Sequence, residues 1–259
     1  MSAHPPFLTA SILSQHKAIQ HGFFGAQGGV SAGKYKSLNC GELSHDDSEK
    51  VRTNRGRVAG VFSLGAEFLI SCKQVHSTRV LTITEGLELN APFEGDGLVT
   101  NQSGIAISAL GADCAPVLFY DPVNQIIGAA HSGWKGALNG INERVIQNMC
   151  ALGSDVSEIV VAIGPAMAVT HYEVGEEFVT GFLNNGVIDS ENCFERRKEG
   201  IYFDLTRFIR LRLKAAGIVH QEQIEQDTYT QASKYFSYRR SRSLGEGDYG
   251  RQIAAISLR

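Results

Sequence analysis

Between Gly111 and Gly136 the sequence reads GADCAPVLFYDPVNQIIGAAHSGWKG, two apolar runs separated by four turn-forming residues. Residues 117–120 and 125–130 are apolar enough to be buried strands, and Asp121-Pro122-Val123-Asn124 supplies the turn between them. If the strands pair antiparallel through that turn, their outer ends lie side by side. Cys114 stands before the first run and His131 closes the second, so this pairing brings a thiol and an imidazole within reach of one another. The flanks, Gly111-Ala112-Asp113 and Ser132-Gly133-Trp134-Lys135-Gly136, are small or polar and clear space around such a pair.

The rest of the chain reads as support for that unit. Residues 19–24 form a candidate first strand ending at Gly25-Ala26-Gln27-Gly28-Gly29, where adjacent glycines permit positive φ and close backbone approach. A polar loop runs on through Ser31 to Asn39. Asp46 or Asp47 is placed to cap a surface helix to about Ala59, with Val51 and Val58 inward and Arg55 on its polar side. Residues 68–72 and 79–84 read as strands bracketing Lys73-Gln74-Val75-His76-Ser77, so His76 also sits at a strand end. Glu94-Gly95-Asp96-Gly97 turns into a strand at 98–100, and 104–110 leads up to Cys114. Leu138, Ile141, Val145, Met149 and Leu152 recur at helical spacing, one continuous helix ended by Gly153. A strand at 159–163, a helix at 174–183 and a helix capped by Asp204 and stopped by Gly217 follow. Residues 245–250 read as flexible, and 252–258 as a last strand. No repeat or linker divides the chain, which predicts a single α+β domain over residues 1–259.

Composition narrows the partners. A formal net charge of −3 gives no basic field, which argues against nucleic acid. No apolar run is long enough to span a bilayer, and the N-terminal stretch lacks a secretory pattern, so a cytoplasmic protein with no membrane partner is expected. Five scattered cysteines without a CxxC pair read as free thiols.

Three candidate ligands thus stand at element ends: His76, Cys114 and His131. Two imidazoles and a thiolate suit zinc, and three protein ligands leave a fourth position open, the mark of a catalytic rather than a structural site. Asp113 and Asp96 are the carboxylates placed to orient ligands or handle protons. The same residues also suit a metal-free thiol hydrolase with Cys114 as nucleophile, and Cys with two His is an equatorial set for copper, although the chain has no array of HxH motifs.

Several blocks carry a resemblance. HGFF and GGVSAGKYKSLN within residues 21–39, KQVHS at 73–77, DGLVT at 96–100, ADCAPVLFYD at 112–121, AHSGWKG at 130–136, IGP at 163–165, YEVG at 172–175 and FSYRR at 236–240 resemble the laccase-domain, YfiH-type family over nearly the whole chain. Its members carry the names multicopper polyphenol oxidase, peptidoglycan editing factor and purine nucleoside phosphorylase. The resemblance implies a layered α/β/β/α sandwich with mixed sheets, and zinc held at His76, Cys114 and His131. It implies phosphorolysis of adenosine, inosine and 5′-methylthioadenosine, with deamination of adenosine as a second reaction. A peptidoglycan-precursor editing hydrolase is the alternative, and a copper polyphenol oxidase ranks below it. One position departs from the family pattern: Ala26 stands where members carry an arginine. The cation for phosphate or substrate must then come from elsewhere, with Arg55 and Arg239 as candidates and Asn39 as a further substrate contact.

Overall fold

The computed structural model describes residues 4–85, 93–184, 186–187 and 189–259. The N-terminal lead begins outside them. Two sheets carry the architecture. One has the order β1 (Phe7–Leu8), β2 (Ile19–Phe24), β14 (Gln252–Leu258), β6 (Ala106–Gly111) and β3 (Leu69–Ser71). The other runs β13 (His220–Gln223), β9 (Val160–Ile163), β7 (Ala115–Asp121), β8 (Ile126–Ser132), β5 (Gly97–Thr100) and β4 (Val80–Ile83). A small third sheet, β10 (Glu173–Val174), β12 (Gly200–Phe203) and β11 (Phe194–Arg197), lies apart from both.

Strand alternation explains the layering, because successive side chains point to opposite faces. Leu118, Tyr120, Ile127 and Ala129 face inward to Phe23, Ile107, Ala254 and Ile256 of the other sheet, forming the core between the sheets. Their neighbours Val117, Phe119, Ile126 and Ala130 face the opposite way. They are covered by Ile141, Val145 and Met149 of α4 (Ile141–Ala151) and by Phe208 and Ile209 of α6 (Leu205–Ala215). On the far face of the first sheet, Val58 and Ala59 of α2 (Ser48–Val61) cover Phe24, Leu110 and Ala255. The result is the α/β/β/α sandwich that the resemblance implied. α1 (Ser11–Ser14), α3 (Trp134–Asn139), α5 (Glu176–Leu183) and α7 (Tyr238–Ser243) are shorter connections, making seven helices among the described residues.

Local sequence signals account for most element ends. Asp47 rather than Asp46 caps α2, accepting from Glu49 N at 2.9 Å, and Asp204 caps α6 through Arg207 N. The glycine turn after β2 behaves as its residues require: Gly28 has φ +89°, and a Cβ on Gly29 would lie 2.0 Å from the Ser37 carbonyl oxygen. Two readings are corrected. The helix expected to run unbroken from Leu138 to Leu152 is two helices, because Gly140 takes φ +95° at the end of α3 and α4 restarts after it. Residues 245–250 are packed rather than loose. Asp248 accepts from the Tyr35 hydroxyl and His45 N, both at 2.7 Å, and a Cβ on Gly250 would lie 2.4 Å from the Phe236 ring.

The core holds one histidine with a consequence for stability. His21 in β2 is 4% exposed, and its Nε2 accepts from Ala10 N at 2.9 Å. Burial brings its pKa down to about 4, against a smaller upward pull from Glu222. The folded state therefore binds fewer protons than the unfolded one between about pH 4 and pH 6.5, so the stability is present above that window and is lost as pH falls. Between pH 7 and pH 5 the loss from this group is on the order of 2 kcal/mol. Thermal melts across that range are expected to show a shallower decline for His21→Gln than for the wild type. Parallel declines would remove His21 as the cause.

Candidate metal centre

Strand register assembles the site. β7 and β8 pair antiparallel with Ala115 opposite Ser132 and Pro116 opposite His131, so Cys114 leaves β7 beside the end of β8, as the sequence pattern required. His76 arrives from the loop between β3 and β4. Its φ of +59° is unusual for a residue with a side chain, and that conformation needs support from its surroundings.

Asp96, immediately before β5, supplies it. Its carboxylate accepts from the backbone N–H groups of Val75 (3.3 Å), His76 (3.0 Å) and Ser77 (2.6 Å), and from the Ser77 hydroxyl (2.8 Å). The same carboxylate lies 2.8 Å from His131 Nδ1, which leaves His131 Nε2 for a ligand. One buried side chain thus fixes the backbone of one imidazole and the ring of the other. Burial alone would raise the Asp96 pKa, but His131 and Ser77 outweigh it and bring it down to about 2.

The ligand atoms of His76, Cys114 and His131 all lie within 4.8 Å of one another, with Cys114 Sγ 3.9 Å from His76 Nε2. A tetrahedral ion at ordinary zinc bond lengths holds its sulfur and nitrogen donors about 3.5 Å apart, so the set fits one ion with a small contraction. The space between the donors is kept open by Gly133, where a Cβ would come within 2.7 Å of Cys114 Sγ and 3.2 Å of the His76 ring. The cluster is graded from buried His131 through half-buried Cys114 to exposed His76, so one side faces solvent. Burial opposes ionisation of Cys114, but the His131 charge and hydrogen bonds from both imidazoles bring the thiol down to about 7. His131 moves the other way. Burial disfavours its charge, yet the Cys114 thiolate and Asp96 carry it up to about 9. Without an ion the pair is therefore stabilised as thiolate and imidazolium. The thiolate is already the form that a metal takes.

The cluster opens onto a cavity of about 1380 Å³ that Arg55, Arg239, Trp134, Tyr172, Phe178 and Tyr249 also line. Trp134 meets Phe178 edge-on at 4.9 Å, with Lys135 over its ring at 5.4 Å. Arg55 is 6% exposed and donates to Ser71 Oγ and the Leu69 carbonyl, with Glu42 at 3.6 Å. Asn39 does not line the cavity, and its amide is engaged by Ser44, Asp46, Gly41 N and Arg251 N. Asp113, the neighbour of Cys114, is also differently employed. Its carboxylate accepts from Thr228 Oγ1 (2.7 Å), Ser237 Oγ (2.9 Å) and Arg239 N (2.7 Å), tying the C-terminal segment to the Cys114 turn. Those bonds hold it down against burial, which still leaves its pKa raised. These bonds make Asp113 a brace between the Cys114 turn and the 228–239 segment. The sequence reading missed the aromatic wall. Trp134 was within reach, being next to the His131 motif, whereas nothing local marked Tyr249 inside a glycine-rich stretch.

An α/β/β/α sandwich with two histidines and a cysteine gathered where the β3–β4 loop meets the open end of the β7–β8 hairpin is the class that fold and site define. The chain belongs to the family described as multi-copper polyphenol oxidoreductase laccase, whose model matches residues 20–259. Among its relatives is a protein of Deinococcus radiodurans named purine nucleoside phosphorylase, 36% identical over 243 residues, covering 93% of this chain and 90% of the relative. Another is YlmD of Bacillus subtilis, also named purine nucleoside phosphorylase, 29% identical over 255 residues with 94% and 90% covered. The solved structure of the hypothetical protein YfiH of Bacillus licheniformis superposes with a TM-score of 0.89 at 30% identity, covering 98% of this chain and 97% of that one. These matches bear out the resemblance read from the motifs. They support an enzyme acting on a small molecule. Among the described residues no helix is long and apolar enough to cross a membrane.

Proposed function

We propose that this protein is a zinc-dependent purine nucleoside phosphorylase acting on adenosine, inosine and 5′-methylthioadenosine, with adenosine deamination as a second reaction, and that it works in the cytoplasm. The observation that carries the reading is the convergence of His76, Cys114 and His131 at one wall of a cavity that also presents a buried Arg55, a half-buried Arg239 and aromatic rings. The names of the relatives point the same way.

His76, Cys114 and His131 are the residues that would hold the ion. Zinc there supplies a Lewis acid with an open coordination position. Asp96 fixes the backbone of His76 and the ring of His131, which preorganises the donor set. Phosphorolysis joins a phosphate oxygen to C1′ as the C1′–N9 bond breaks; the bonding pair leaves on the purine, and the proton of hydrogen phosphate ends on the base. That reaction needs an oriented anion beside the sugar, and Arg239 and Arg55 bring positive charge to the cavity. Trp134, Phe178 and Tyr249 offer apolar surface for the flat base. With Ala26 buried and packed against Ala112 and Phe236, no cation comes from that position, and positive charge comes from the arginines elsewhere in the cavity lining.

Purified zinc-loaded protein given inosine and phosphate is expected to release hypoxanthine and ribose 1-phosphate at a rate proportional to enzyme. Chromatography of the reaction checks it. Absence of both products from zinc-bound wild type would eliminate the phosphorylase reading.

A further inference from the structure

Tyr172 lies between a short 3-10 turn, Val169–His171, and β10, and its carbonyl accepts from Phe203 N at 2.9 Å. Its ring is fixed by an edge-on contact with Phe203 at 5.5 Å, and the Arg239 guanidinium lies over it at 5.7 Å. The side chain lines the same cavity as the metal cluster and is 9% exposed. A buried tyrosine hydroxyl normally finds a protein partner. Tyr35 does so on Asp248 at 2.7 Å; the Tyr172 hydroxyl makes no hydrogen bond to the described residues, and with the ring packed away its oxygen opens to the cavity instead. Burial, reinforced by the nearby Cys114 thiolate, raises its pKa despite the opposing pull of Arg239, so it remains a donor at any working pH.

Arg239 is unmatched in a complementary way. Its side chain donates to two backbone carbonyls, of His171 at 3.5 Å and Glu173 at 3.1 Å, and among the described residues it forms no ion pair with a carboxylate. Its position is built in: its backbone N–H is held by Asp113, the residue that precedes Cys114. A cation without a counter-charge beside a phenol without an acceptor calls for a ligand that is both acceptor and anion.

We infer that the Tyr172 hydroxyl and the Arg239 guanidinium form an oxyanion subsite next to the metal cluster, with Tyr172 donating the hydrogen bond that orients the anion. The identification of that anion as the phosphate co-substrate rests on the phosphorylase reading; the subsite itself does not. It assigns the anion to the Arg239 side of the cavity. Arg55, already engaged by Ser71, Leu69 and Glu42, is left to the nucleoside.

Tyr172→Phe removes only the hydroxyl and keeps the ring contacts with Phe203 and Arg239. Calorimetric titration of zinc-loaded wild type and variant with inorganic phosphate, alongside zinc content and melting temperature, tests the subsite. The variant is expected to keep its zinc and its melting temperature while phosphate binding weakens about tenfold or more, as for a lost charge-assisted hydrogen bond. In turnover, the KM for phosphate rises while the KM for inosine stays within about threefold. Equal phosphate affinity in wild type and variant, or no phosphate binding by the wild type, overturns the inference. A wild type that binds phosphate through Tyr172 but cleaves no nucleoside would uphold the subsite and sink the phosphorylase reading instead.

Discussion

Cys114→Ala is expected to yield a folded protein that no longer retains metal and no longer turns over nucleoside. In the proposed site three protein donors would hold the ion, and removing the only anionic one leaves two imidazoles, one of them exposed. The fold has little stake in the sulfur. Cys114 is half-buried outside the main clusters, so loss of one atom there costs about 1 kcal/mol or less, against several for a residue of the core. Elemental analysis should find about one zinc per wild-type chain and less than about a tenth of that in the variant. Hypoxanthine release should fall by about a thousandfold or more, since the proposed reaction would lose its Lewis acid. Copper in place of zinc in protein made without added metal would overturn the assignment of the ion, and a variant that retains full metal would overturn the ligand set.

Asp96→Asn is the second large effect, and it acts at a distance from the ion. The carboxylate is 2% exposed and accepts from four donors of the 75–77 turn while also holding His131 Nδ1. An amide replaces one acceptor oxygen by an NH₂ group, which confronts N–H donors that have no other partner. Each buried donor left unsatisfied costs about 1–3 kcal/mol, so a loss of roughly 2–4 kcal/mol in stability is expected from urea unfolding. Zinc affinity should fall about 10- to 100-fold, the usual effect of removing a group that orients a ligating histidine. Competition with a chelator of known affinity measures it. If zinc binds the variant as tightly as the wild type, the cluster does not depend on Asp96 for its geometry.

These two residues also mark how far the sequence could be read. Cys114 and His131 were legible because both lie at the ends of one hairpin, and hairpin pairing is decided by local hydrophobic alternation and by the turn. Asp121 shows this directly, its side chain accepting from Val123 N and Asn124 N to close the turn where the sequence placed it. The break at Gly140 was missed because apolar spacing runs on through it, while one glycine at φ +95° redirects the backbone. The packing of residues 245–250 was missed for a related reason. Glycine-rich composition signals freedom, yet here the glycines admit the Phe236 ring and let Asp248 reach Tyr35.

By itself the sequence determined the hairpin and the family, because each is written in local periodicity or in contiguous motifs; the layered sandwich followed from the family resemblance, and His76, Cys114 and His131 were legible as candidate donors. Only the tertiary structure decided which carboxylate serves the donors. Asp113 adjoins Cys114 in the chain but turns at φ +83° toward Thr228 and Ser237, whereas Asp96, 20 residues from His76 and 35 from His131, reaches both. The parallel register of β4 on β5, Val80 opposite Gly97, and the antiparallel register of β5 on β8, Gly97 opposite Ala130, bring Asp96 between them. Hydrogen-bond commitments of this kind are set by which strands pair and in what register, and no run of consecutive residues encodes that.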